Sequence, residues 1–276
     1  MSNLLANGMI LALIWLDPRL HSPMYFFLSH LAVIDISYAS SNLPKLLENL
    51  IRHKKTISFV SCTMEMVLYV GFGSTECVIL VVMSYDRYVA ICHPLQYTLI
   101  MSWTKCKVLA FISWSSGFSV ALGYLGFFLR ISFCGSLEVN HFLCEVLSVL
   151  KVACGDTWMN KMYVFAGGVL VLVGPLSLML VSYMRILWAI LKIQSKEGRK
   201  KAFSTCSSHL CVVGFYFGIA MMVYVFPDNG QHDEQKKIIF LFYTLFNPFL
   251  NPLVYSLRNA QVKAAFKRVF QKQRAS

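Results

Sequence analysis

Long apolar blocks recur seven times along this chain, at residues 3–16, 24–47, 59–90, 106–129, 161–191, 201–226 and 237–257. Backbone polar groups inside a bilayer need internal partners, and long unalternating apolar runs satisfy them as helices rather than as barrel strands. A helix that crosses the hydrocarbon core needs about 20 residues, so the first block is short and the other six suffice. Composition agrees: 57% of residues are hydrophobic and 14% charged, where an ordinary soluble domain carries about 25% charged residues. The expectation is a single domain over residues 1–276, an all-α seven-helix membrane bundle. Its first helix is short at the N-terminal end, and an amphipathic helix over 260–272 closes it.

The net charge of +12 does not point to nucleic acid, because the basic residues are scattered between apolar blocks without a basic domain or an aromatic-interleaved patch. Their distribution instead orients the chain. Arg19, Arg87, Lys105, Lys107, Arg185, Lys192, Lys196, Arg199, Lys200 and Lys201 lie in the loops after blocks one, three and five or at their ends, and Arg258 to Arg274 form a basic tail. Placing these on the cytoplasmic side puts the N-terminus outside and the C-terminus inside, although Lys45, Arg52, Lys54 and Lys55 crowd the first outer loop. No basic segment followed by a small-residue cleavage site opens the chain, so an internal helix is expected to act as the insertion signal.

Of nine cysteines, Cys62, Cys134, Cys144 and Cys154 fall on the outer, oxidising side, where spacing alone permits three pairings. Cys77, Cys92, Cys106, Cys206 and Cys211 read as free thiols. There is no CxxC pair, GxSxG, HExxH, P-loop or dinucleotide fingerprint, and the chain reads as a non-enzyme with no metal site. No paired broken helices mark a transporter repeat.

Few ionisable residues sit within the apolar blocks. Asp35 and Glu76 lie at matching depth in antiparallel neighbours and read either as a shared cation or proton site, or as a hydrogen-bonded structural pair. Glu65 reads as a wetted helix end, and His209 as an interfacial anchor. Pro175, Pro248 and Pro252 break helical hydrogen bonds, and Asn247 and Asn251 are placed to bond the freed carbonyls. Asp86 and Arg87 stand where an apolar run meets a polar segment; they suit either a remakeable ion pair or a snorkelling anchor. Tyr69, Val70, Gly73, Ser74, Val164, Gly168, Val171, Met221 and Tyr224 suit either an adaptable apolar pocket or ordinary small-residue packing.

Four stretches carry a resemblance. They are Pro23-Met24-Tyr25-Phe26-Phe27-Leu28-Ser29, the run Met83 to Tyr97 around Asp86-Arg87-Tyr88, Lys201 to Leu210 with Ser207-Ser208-His209, and Asn251-Pro252-Leu253-Val254-Tyr255. In this order they resemble the olfactory (odorant) receptor family of rhodopsin-like G-protein-coupled receptors, on the class II, tetrapod-type side. Ala6-Asn7 and Tyr216-Phe217-Gly218 depart from the family's usual Gly-Asn and Phe-Tyr-Gly.

The resemblance implies a small hydrophobic or volatile ligand held by Tyr69, Val70, Gly73, Ser74, Gly168, Val171, Phe217, Met221, Tyr224 and Thr244. It implies bridges Cys62–Cys144 and Cys134–Cys154, and an activation switch of Asp86, Arg87, Tyr88, Tyr183, Asn251, Pro252 and Tyr255. Asp35 and Glu76 would resemble the family's interior cation site, taking a sodium ion. The implied partner is a stimulatory heterotrimeric G protein of the olfactory type, raising cyclic AMP at the plasma membrane of sensory-neuron cilia. The alternatives are a non-signalling receptor retained inside the cell, since no outer N-tail or glycosylation sequon is present, and a channel or transporter.

Overall fold

The computed structural model describes residues 2–52, 55–134, 137–225, 233–257 and 260–274. Eight long helices follow in order: α1 (Ser2–Leu16), α2 (Pro23–Ile51), α3 (Phe59–Cys92), α4 (Trp103–Phe128), α5 (Trp158–Leu191), α6 (Lys196–Tyr224), α7 (Asp233–Leu257) and α8 (Ala260–Arg274). By length and composition α3, α4, α5, α6 and Glu234–Val254 of α7 suffice to cross a membrane. The apolar part of α1, Asn3–Leu16, is shorter, and α2 is long but interrupted by Asp35, Ser37 and Asn42.

Where boundaries differ from the apolar blocks, polar helical turns account for the difference. α2 runs on to Ile51 because Glu48 pairs with Lys45 at 3.0 Å and Arg52 at 2.7 Å across its last turn. α6 begins at Lys196, before the apolar pattern does, with the Ser195 side chain capping the Gly198 N–H at 3.2 Å. Ser58 caps α3 through the Ser61 N–H in the same way. Pro23 starts α2 at a position where its missing N–H costs nothing.

α3 is the axis of the bundle. Of its apolar stretch 67% is buried, against 17% for α5, which therefore lies at the periphery. Ile79, Leu80 and Met83 of α3 pack with Phe27, Leu31 and Ile34 of α2 in the main core. α4 comes closest to α3 at Gly117, where an added Cβ would lie 2.6 Å from the Thr75 backbone nitrogen, so only glycine fits without a shift. Trp114 of α4 donates to His30 of α2 at 3.1 Å. α5 carries one π-type turn, Val169–Val173, just ahead of Pro175, where the proline cannot supply an N–H to the preceding turn.

One end of the bundle is closed by the long loop between α4 and α5. Strands β1 (Ser132–Phe133) and β2 (Ala153–Cys154) pair antiparallel there, Ser132 opposite Cys154. A short helix, Val146–Leu150, is capped by Glu145 through the Ser148 N–H at 2.8 Å. Disulfides join Cys62 to Cys144 and Cys134 to Cys154, with Cα separations of 5.3 and 5.9 Å. At the opposite end α8 folds back onto α1 and α2. Tyr25 donates to Gln261 at 2.8 Å, and Arg268 grips Asp17 at 2.6 and 3.1 Å. That guanidinium holds the Asp17 carboxyl below its usual range.

Candidate functional site

Beneath the disulfide-tied loop, α3, α5 and α6 leave a cavity of about 80 Å³. Of the residues expected to hold a ligand, Tyr69, Val70, Gly73, Ser74, Gly168, Val171 and Tyr224 line it. Phe217, Met221 and Thr244 do not. Phe217 is 1% exposed and packed in the core, Met221 packs against that core, and Thr244 is buried beside Tyr38. The cavity takes further walls that sequence reasoning missed: Tyr38 from α2, Cys77 from α3, Val120 and Tyr124 from α4, Val146 from the loop, and Tyr216 and Tyr243 from α6 and α7. Their only sequence signal is phenol groups within apolar helices, where a buried hydroxyl needs a partner.

Most of these phenols are committed. Tyr216 donates to the Gly73 carbonyl at 2.7 Å and accepts from Cys77 at 3.4 Å. Tyr124 donates to the Val164 carbonyl at 3.2 Å, and Tyr224 to the Tyr69 hydroxyl at 3.4 Å. Tyr224 and Val164 also face a larger outer vestibule of about 850 Å³ lined by Glu138, Lys161 and Lys236. Glu65 is not a wetted terminus: it is 7% exposed and accepts the Cys144 N–H at 3.2 Å, fastening the loop to α3 beside the disulfide.

Midway along the bundle Asp35 and Glu76 are brought together. The Asn251 amide donates to Asp35 at 3.1 and 3.2 Å and to Glu76 at 3.1 Å, and Asn247 donates to Glu76 at 3.0 and 3.2 Å. Both asparagines therefore serve the carboxylates rather than the carbonyls freed by the prolines. The Pro248 carbonyl, which Pro252 cannot bond, instead accepts from Asn7 of α1 at 3.0 Å. Asn247 Oδ1 and Asn251 Oδ1 meet no donor among the described residues. Two carboxylates and these amide oxygens make a hard, oxygen-only set of the kind alkali and alkaline-earth cations favour.

At the far end Asp86 and Arg87 are 2% and 5% exposed, so both are enclosed by protein and neither snorkels. Asp86 accepts from Tyr97 at 2.7 Å, a partner in the segment after α3 that sequence reasoning did not single out. Burial, with the Asp86 charge behind it, pushes the Tyr97 phenol far above its usual range, and it keeps the proton it donates. Tyr88 contacts His93 at 3.3 Å. His209 is fully buried and hydrogen-bonded to Tyr183, which joins α6 to α5; it is not an interfacial anchor. Pro252 is buried, and the side chains of Tyr255 and Lys201 lie outside the described residues.

A model of the family described as olfactory receptor matches residues 1–273. The chain is 64% identical over 273 residues to olfactory receptor 2A5 of Homo sapiens, covering 99% of this chain and 88% of that protein. It is 64% identical over 272 residues to Homo sapiens olfactory receptor 2A2, covering 99% and 86%. Olfactory receptor 2A7 of Mus musculus is 57% identical over 272 residues, covering 99% and 88%.

Proposed function

We propose a mechanism for this chain, which belongs to the olfactory receptor family and is an odorant-sensing, seven-helix rhodopsin-like membrane receptor rather than an enzyme. A small hydrophobic odorant occupies the cavity among Tyr69, Val70, Gly73, Ser74, Gly168, Val171 and Tyr224. Its binding shifts a resting-active equilibrium felt at Asp86, Arg87, Tyr88, Tyr183, Asn251, Pro252 and Tyr255. The observation that carries this reading is the apolar cavity between α3, α5 and α6, with a buried, hydrogen-bonded charge pair at the other end of α3. A ligand moves such an equilibrium only by its differential affinity for the two states. Repacking of α5 and α6 around the cavity is the route by which that difference reaches the Tyr183–His209 link.

In this reading the Arg87 end faces the cytoplasm and engages a stimulatory heterotrimeric G protein of the olfactory type, raising cyclic AMP in the ciliary membrane. The N-terminus faces outside, which places both disulfides on the oxidising side. Asp35 and Glu76 would hold a sodium ion, whose single positive charge offsets one of two carboxylates that are costly to bury together. Ligand-independent stabilisation by sodium, lost in Asp35→Asn, tests that assignment by thermal unfolding.

The main test is a cyclic AMP screen of surface-labelled cells across odorant classes. A concentration-dependent response that Arg87→Ala removes is the expected result. Silence across the panel from chains at the cell surface, or a ligand-evoked current without G protein, overturns the reading.

A further inference from the structure

We infer that the cavity selects a compact, uncharged ligand bearing a hydrogen-bond acceptor, such as a ketone, aldehyde, ester or ether, and that the Tyr38 hydroxyl reads the acceptor. This inference rests on the reading of the cavity as the odorant site.

Charge is excluded first. Among the described residues no Asp, Glu, His, Lys or Arg lines the cavity, and an unpaired ion in apolar surroundings costs far more than a small ligand's contacts return. Size comes next. The cavity of about 80 Å³ is smaller than the roughly 150 Å³ apolar cavity known to admit benzene, so the occupant is compact.

The polar selection follows from which groups are already used. The backbone carbonyls of Gly73 and Val164 are taken by Tyr216 and Tyr124. A ligand acceptor entering here needs a donor that is still free. The wall does hold a spare donor. Tyr38 is 4% exposed and lines the cavity, yet its hydroxyl meets no partner in hydrogen-bond geometry among the described residues. The Tyr69 and Thr244 hydroxyls lie beside it, and the Tyr38 and Tyr69 rings stand 5.4 Å apart. A buried hydroxyl without a partner is destabilising, and a ligand carbonyl that accepts from it relieves that cost on binding.

The test uses the purified full chain and three compounds of near-equal size, each smaller than benzene: acetone, 2-methylpropene and isopropylamine. Affinity is read from the rise of the thermal unfolding midpoint with ligand concentration, and cyclic AMP is measured in parallel in cells. Acetone should bind about tenfold more tightly than 2-methylpropene, the worth of one good hydrogen bond, and more tightly than the amine, which carries a charge at neutral pH. Tyr38→Phe keeps the ring and removes the hydroxyl, and should bring the ketone down to the alkene's affinity while leaving the alkene's unchanged.

Equal or weaker binding of the ketone in the wild type overturns the proposal, as does an intact ketone preference in folded Tyr38→Phe or no stabilisation by any of the three. The wild-type comparison decides the matter even where the variant does not fold. Ketone-selective binding without a cyclic AMP response supports the ligand class and counts against G-protein coupling alone.

Discussion

The two halves of this bundle handle polar groups in opposite ways. In the half beneath the disulfide-tied loop, phenols, glycines and small apolar residues surround an opening, and on its wall the buried Tyr38 hydroxyl has no partner in hydrogen-bond geometry among the described residues. Toward the other end the polar residues are tied to one another: Asp35 and Glu76 to Asn251, Asp86 to Tyr97, Tyr183 to His209. The open half has uncommitted bonding for a visitor to use. The tied half has bonds that must be exchanged before its helices move, so it suits a two-state switch better than a binding pocket.

That contrast can be broken by substitution, and the expected effects differ in size. Arg87→Ala removes the guanidinium of the tied half and should bring odorant-evoked cyclic AMP to background, with surface labelling roughly intact. Ligand stabilisation of the purified variant should persist. Loss of ligand binding together with signal would show that the halves are not separable.

Cys62→Ser acts on the open half by freeing the loop that roofs the cavity. Removing a bridge of this kind typically costs about 2–5 kcal/mol, so thermal stability and surface delivery should both fall sharply. A fully active variant would show that Glu65 and the apolar cluster around Cys144 hold the roof without the bridge.

Asn251→Ala leaves Asp35 without its amide donor and Glu76 with Asn247 alone. Burying a group without its partner costs about 1–3 kcal/mol, to be read as a lower unfolding midpoint. Adding Asp35→Asn to the same chain removes the stranded carboxylate and should restore part of the loss.

The smallest effect concerns the Asp17–Arg268 clamp, whose arginine is 37% exposed at its side chain. The Asp17 carboxyl sits lower in the fold than its ordinary value of 3.8. Its contribution is therefore present above that ordinary value and disappears as pH falls through the depressed one. Between pH 5 and 8, a window set by about 3.9 for free Asp, the clamp's share of stability should be flat. Below that window the midpoints of wild type and Arg268→Ala should converge.

The spans were legible in the residues because apolar blocks declare themselves locally, and the interior acids because a charge within such a block is rare. The four family stretches identified the receptor class before any contact was known. Helix ends were less legible. α6 starts at Lys196 through a Ser195 cap and a run of basic residues that no apolar pattern marks. The cavity was only partly legible: Tyr69, Gly73 and Gly168 stood out, whereas Tyr38 and Tyr124 come from α2 and α4, whose approach depends on packing at positions such as Gly117.

Sequence alone decided that this chain forms a membrane bundle of helices, which acids lie inside it, and to which family it belongs. Each of these follows from properties of single segments: apolar length, charge placement, local motif. Only the tertiary structure decided which hydrogen bonds those segments exchange. It gave Asn251 to the carboxylates rather than to a carbonyl, Tyr97 to Asp86, and Asn7 to the gap left by Pro252. Such partners lie as many as 241 residues apart, and no local pattern records a bond made possible only once helices have packed.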